Sequence, residues 1–157
     1  MELARPAGDA DHAVCAHLVG EALAHAGSMR GGPALIGAST TDDLLTRWRG
    51  DPEGAAGTEG AALFVGEFEG AVVGVLGVVA TAAAGGRRGR IECCYVETAA
   101  RAVGVGTSLM EAAVAWCAGA GCAEVDALAL PGDRSTKQRL EASGFTARLL
   151  TLSRRLG

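Results

Sequence analysis

Arg101-Ala102-Val103-Gly104-Val105-Gly106 is the stretch whose residue types and spacing are best suited to chemistry, because a strand-like run, Ile91 to Val96, leads into it and an amphipathic run, Thr107 to Ala118, leads out. Backbone amides left open at a helix start attract negatively charged oxygens, since the N–H groups and the positive end of the helix dipole converge there. Glycine at 104 and 106 lets the main chain approach such a ligand where a side chain would collide. The expected ligand is a phosphorylated cofactor. A dinucleotide fingerprint would need a third glycine where Leu109 stands, and a nucleoside-triphosphate loop would need Gly-Lys-Ser/Thr, which is absent.

Val96 lies five residues ahead of Arg101, and with it the loop resembles the pyrophosphate loop, Arg/Gln-x-x-Gly-x-Gly/Ala, of the GNAT superfamily of acetyl-CoA-dependent acyltransferases. The resemblance runs over residues 61–148. Cys122 to Leu130 corresponds to the family's fifth strand, Pro131-Gly132-Asp133 to the following turn, Ser135 to Ser143 to the next helix, and Gly144-Phe145 to the family's Gly-Phe. The implied fold is α/β with a central mixed, mostly antiparallel sheet flanked by helices, and the implied cosubstrate is acetyl-CoA, with no metal. The resemblance further implies that the strand of Cys94, Tyr95 and Val96 splays from Val125 to Leu130. Main chain near Tyr95 and Val96 would then hold the pantetheine arm and the thioester carbonyl. Within the loop Arg101-Ala102, the amides of Val103, Gly104, Val105, Gly106 and Thr107 would hold the diphosphate, with Arg101 beside it.

Acyl transfer from a thioester to an amine needs a neutral nucleophile, a polarised carbonyl and a proton for the departing thiolate. Glu92, four residues before Val96, stands in the stretch where the family places a Glu or His base; desolvation there would raise a carboxylate's affinity for a proton. A strand-edge carboxylate in solvent or paired with a nearby arginine is the other reading. The tyrosine that many family members carry four residues before the Gly of Gly-Phe is replaced by Leu140, so water, Ser135, Ser143 or unassisted thiolate departure must serve. Tyr95, the sole tyrosine, reads as a packing residue. Asp133 falls where the family usually has Asn, and an ionised Asp accepts hydrogen bonds without donating any. Cys93 and Cys94 face opposite sides of a strand with no histidine in a recognisable motif, which favours packing over a covalent acyl-enzyme. His12, His17 and His25 read as solvated histidines of the first helix.

The elements that must position these residues follow from pattern. Glu2 to Ala7 reads as a strand, and Asp9 or Asp11 as the N-cap of a helix with Val14, Leu18 and Ala22 on one stripe. Gly27 to Ala38 reads as a loop beside the acceptor. Thr40 and Asp43 form a capping box ahead of Leu44, Leu45 and Trp48. Gly50 to Gly60 reads as a connector. Ala61 to Phe68, Ala71 to Thr81 and Gly89 to Glu97 form an antiparallel meander with turns at Glu69-Gly70 and Gly85-Gly86, and the basic run Arg87-Arg88-Gly89-Arg90 reads as a solvated hairpin turn. Leu109, Ala113, Trp116 and Ala120 share one face of the helix after the loop, and Thr146 to Leu156 reads as a terminal strand.

The 157 residues fit one domain, 1–157, and with 49% apolar but 4% aromatic residues its core must be filled by Ala, Val and Leu. A net charge of -4 with scattered acids argues against nucleic-acid binding, and no apolar stretch approaches the roughly 18 residues of a membrane span. Five cysteines without Cys-x-x-Cys spacing read as reduced thiols, and the N-terminus lacks a signal-peptide pattern, so a cytoplasmic location is expected. Asp42, Asp43, Asp51 and Glu53 could form an acidic rim for a cationic amine or a plain solvated surface. Three functions remain open: an acetyltransferase acting on a primary amine of a small molecule or peptide, a catalytically impaired acyl-CoA-binding sensor or interaction module, and, more remotely, a nucleotide-binding protein. A homodimer is compatible with each.

Overall fold

The computed structural model describes residues 3–50 and 59–157; residues 51–58 of the glycine-rich connector lie outside that range. Five strands, β1 (Leu3–Pro6), β2 (Gly60–Phe68), β3 (Ala71–Ala83), β4 (Gly86–Val96) and β5 (Cys122–Ala127), form one sheet in the order β1-β2-β3-β4-β5. The first four are antiparallel neighbours, whereas β5 runs parallel to β4. A parallel neighbour requires a crossover. Here it is the helix α4 (Val105–Gly119), which makes the loop before it the link between the sheet's centre and its edge.

Each face of the sheet carries its own core. Val105, Leu109, Met110, Ala113 and Cys117 of α4 are buried against Phe64, Leu76, Val78, Ile91 and Val96, and Leu140 of α5 (Arg134–Ala142) joins them. On the other face, Cys15, Leu18 and Val19 of α1 (His12–Gly27) and Leu45 and Trp48 of α3 (Thr41–Trp48) cover Leu63, Val65, Val75 and Val79. The predicted α1 stripe is rotated by about one residue, because Val14 and Ala22 are half-buried while Cys15 and Val19 are fully covered. Trp116 is likewise half-buried at the rim of α4 and not in its core.

Local signals explain the element ends. The Thr40 hydroxyl accepts from Asp43 N at 3.2 Å and the Asp43 carboxylate accepts from Thr40 N at 3.0 Å, the reciprocal box expected at the start of α3. Asp11 stands at the N-cap of the first helix, one of the two positions expected, but its carboxylate bonds no amide of that helix: after a 3-10 turn at Asp9–Asp11, it accepts from Gly8 N at 2.7 Å and from Arg5 Nη1 at 2.7 Å. Arg5 also reaches Glu67, so one guanidinium ties β1, β2 and the entry to α1 together. The Arg5 bond, followed by the Gly8 amide, lowers the Asp11 pKa to about 2.

Three expectations are corrected. Gly27 to Ala38 is not wholly irregular, since a short helix, α2 (Gly32–Ile36), forms with Pro33 in its first turn, where proline's fixed φ is helical and its missing N–H costs nothing. Arg87 to Arg90 is strand, not turn. Arg88 pairs with Glu124 at 2.6 Å and Asp126 at 2.8 Å on β5, and Arg87 donates to the carbonyls of Ala120 and Ala80, partners too distant in sequence to be anticipated. Thr146 to Leu156 is not a strand: residues 145–157 carry no regular structure, and Leu149, Leu150, Leu152 and Leu156 are 84–91% exposed. Adjacent leucines at 149 and 150 point to opposite sides of any extended chain, so no single apolar face exists to dock it.

Candidate active site

Pairing between β4 and β5 ends at Ile91 and Ala127. Beyond that point Glu92 to Val96 have no β5 partner, and the two strands open into a cleft of 650 Å³ walled by α1, α3, β4, the segment after β5, and α5. A second hollow of 110 Å³ lies where β4 gives way to α4, and the two share Val96, Arg101 and Arg139 in their walls. Such an opened strand pair leaves main-chain donors and acceptors facing the cleft, which a ligand with amide groups can complete as a strand would.

The small hollow is walled by the loop. Gly104 precedes α4 with φ of 93°, a left-handed conformation that glycine adopts at little cost, and Ala102 is held at φ 71°. Ala102, Gly104, Gly106 and Thr107 line the hollow. Ser108 N is the first to be engaged, donating to Gly104 O at 3.0 Å; among the described residues no carbonyl or side chain accepts from the amides of residues 102–107. The residues fit the diphosphate of coenzyme A: open N–H groups at a helix start, with the cleft for an extended pantetheine arm next to them.

Glu92 is aimed by an irregularity in the sheet. Gly77 pairs with Cys93 and Val78 with Ile91, so Glu92 is the extra residue of a β-bulge. The bulge sends its side chain toward α3, where Trp48 Nε1 donates to Oε2 at 2.9 Å while Arg47 and Arg90 lie 3.1 and 3.2 Å from Oε1. Trp48 reaches that position because its indole lies flat on Gly77, where a Cβ would come within 2.2 Å of the ring. Three donors therefore fix the carboxylate, whose side chain is 16% exposed, in the wall of the cleft.

The sequence model of the Acetyltransferase (GNAT) family matches residues 33–145. The chain belongs to this family. Its fold is shared by solved structures of low sequence identity. A transcriptional regulator from Bacillus halodurans C-125 superposes with a TM-score of 0.74 at 20% identity, covering 99% of this chain and 100% of that one. Glucosamine-6-phosphate N-acetyltransferase from Arabidopsis thaliana superposes at 0.66 and 17% identity, covering 100% and 99%, and an aminoglycoside N-acetyltransferase in complex with CoA at 0.66 and 18%, covering 98% and 99%. No functionally curated protein matches the chain in sequence. The family match begins well before residue 61, where the resemblance read from motifs began.

Within this acetyltransferase the remaining expected residues are distributed as follows. Cys94 packs toward α4 and Cys93 and Tyr95 toward α1, the alternation of a strand; burial pushes the Cys93 thiol up to about 12 and raises that of Cys94, so neither is poised as a thiolate. Tyr95 donates to Glu21 Oε2 at 3.2 Å, and burial, then Glu21, raises its pKa, which makes it a proton holder. The Arg101 guanidinium folds back, donating to Val96 O at 3.2 Å and lying 5.8 Å from the Tyr95 ring centroid. Asp133 caps α5, accepting from Thr136 N, Thr136 Oγ1 and Ser135 Oγ at 3.1, 2.6 and 3.1 Å. Burial raises its pKa, but the bonds from Thr136 and Ser135 outweigh that and leave it below the ordinary value. Leu140, at 7% exposed, belongs to the core.

Three features were not legible in the sequence. The bulge that aims Glu92 has no local motif. His17 is joined by Glu21 and Glu97, the ligand atoms of all three lying within 4.8 Å of one another, although Glu97 is 80 positions from His17 in sequence. Arg139 enters both hollows. A signal for it existed: no acid stands three or four residues from it on α5, whereas Lys137 has Glu141 at 3.7 Å.

Proposed function

We propose that this GNAT acetyltransferase moves the acetyl group of acetyl-CoA directly to a primary amine of a small molecule or peptide. The observation that carries this reading is the continuity of six open amides at residues 102–107 with the unpaired stretch Glu92 to Val96. Loop amides from Ala102 to Thr107 hold the diphosphate, with Arg101 at the rim. Main chain of Cys94, Tyr95 and Val96 lines up the pantetheine and polarises the thioester carbonyl, and the cap residue Asp133 flanks the arm. The thioester supplies an activated acyl group. The acceptor nitrogen forms a bond to the acyl carbon as the carbon–sulfur bond breaks; Glu92, through a water, receives the amine proton, and the thiolate departs to solvent. No tyrosine is needed at position 140, since a thiol is acidic enough to leave with little help.

Leu140 in the core and the three-donor clamp on Glu92 favour one other reading, a module that binds acyl-CoA without turnover. Release of free thiol from acetyl-CoA, followed across a panel of amines, separates the two. Amine-dependent release is expected, with Glu92→Gln slowing kcat by about a hundredfold at unchanged CoA affinity, the usual scale of a lost general base. Calorimetric binding of acetyl-CoA with no amine raising thiol release above background would establish the module instead.

A further inference from the structure

Arg139 sits in the last turn of α5, and its side chain crosses to the start of α4. A Cβ on Gly106 would lie 2.7 Å from the Arg139 Nε and 3.0 Å from its Cζ, so the absence of a side chain at 106 is what lets the guanidinium lie across the loop. On its far side Nη1 donates to Cys94 Sγ at 3.8 Å. The guanidinium thus bridges the phosphate loop and the strand that lines the cleft, and it faces both hollows.

Its hydrogen bonding is incomplete. A guanidinium offers five N–H donors, and thiol sulfur is a weak acceptor. Among the described residues no carboxylate lies within ion-pair distance of Arg139, whereas Arg5, Arg47, Arg88, Arg90 and Arg148 each have one. Arg101, the cation expected from the sequence to sit beside the diphosphate, has turned to Val96 O and the Tyr95 ring. The half-buried guanidinium shares the small hollow with Ala102, Gly104, Gly106 and Thr107 of a loop whose amides have no acceptor among the described residues, and the complement of such a set of donors is an anion with several oxygens.

We propose that Arg139 is the side-chain cation that grips the diphosphate of coenzyme A, closing from α5 over a site whose floor is the backbone of residues 102–107. The proposal rests on the CoA reading above. Arg139 is accordingly a binding residue, and its planar fork spans two phosphoryl oxygens as a lysine's point charge does not.

Calorimetry on the full chain tests it with three probes: CoA, 3′-dephospho-CoA and pantetheine. Arg139→Gln is expected to weaken CoA and 3′-dephospho-CoA equally, by roughly tenfold to a hundredfold, the range for a lost hydrogen bond to a charged group, and to leave pantetheine unchanged. Arg139→Lys should restore part of the loss and serves as the probe should the Gln variant prove unfolded by circular dichroism. Equal weakening of pantetheine and CoA would overturn the proposal in favour of a packing role at Cys94. Selective weakening of CoA over 3′-dephospho-CoA would move Arg139 to the ribose phosphate and overturn it too. Unchanged CoA affinity in either folded variant also overturns it, while a wild-type chain that binds pantetheine and CoA equally would bring down the cofactor reading itself.

Discussion

The two ends of the cleft are built from different material. At the loop end the recognising groups are backbone N–H donors from six consecutive residues, aimed by one glycine at φ 93° and one alanine at φ 71°. At the other end, around Glu92, they are side chains brought from α3 and β4 and held together by the packing of Trp48 on Gly77. Backbone recognition is a local property and tolerates changes in surrounding side chains, whereas the Glu92 wall depends on contacts between residues 44 positions apart. On the proposed function, one end meets a constant ligand and the other an acceptor that varies.

The contrast can be broken first at Trp48. Fully buried at 1% exposure, it should cost about 3–5 kcal/mol when replaced by Ala, much of a typical domain's stability, measured by urea unfolding. CoA affinity of the remaining folded protein should hold within about twofold; a loss as large as that at the loop would mean the two ends are not separate. Gly104→Val tests the opposite end. Forcing a β-branched residue to a left-handed φ costs about 2 kcal/mol or more, expected as a loss of roughly thirtyfold in CoA affinity by calorimetry with the Glu92 wall intact.

Acid acts on the Arg5, Asp11 and Glu67 cluster that joins β1, β2 and the entry to α1. The Asp11 carboxyl has a pKa of about 2 in the fold against an ordinary 3.8, so its contribution is complete above pH 4 and disappears as pH falls through about 2. A shift of this size corresponds to about 2 kcal/mol, to be read from unfolding midpoints at successive pH values; Asp11→Asn should flatten that slope. The smallest effect is expected at Ala102→Gly. Relief of the left-handed alanine should stabilise the fold by up to about 1 kcal/mol in thermal unfolding, and unchanged or lower stability would show that Ala102 bears no strain.

What could be read from the sequence follows the same division. The loop, the Thr40–Asp43 box and the meander turns are set by residues within a few positions of one another, and each appears where its motif stands. The basic run at residues 87–90 was misread because its partners, Glu124 and Asp126, reach it through the crossover. The alternation at residues 146–156 reads as a strand, but a strand also needs an edge to pair with, and the tail pairs with none among the described residues. Glu92 reads as a candidate from its place four residues before Val96, but the clamp of Trp48, Arg47 and Arg90 around it depends on a bulge, which shifts the parity of every side chain before it. Arg139 has meaning only once α5 is laid against α4.

Because the donors at residues 102–107 are peptide groups, no single codon change except one to proline can delete any of them. Substitution can tilt the loop or crowd it, yet every residue type but one still presents its N–H. A lineage carrying this fold can therefore drift widely along the Glu92 wall while the open amides of the loop persist.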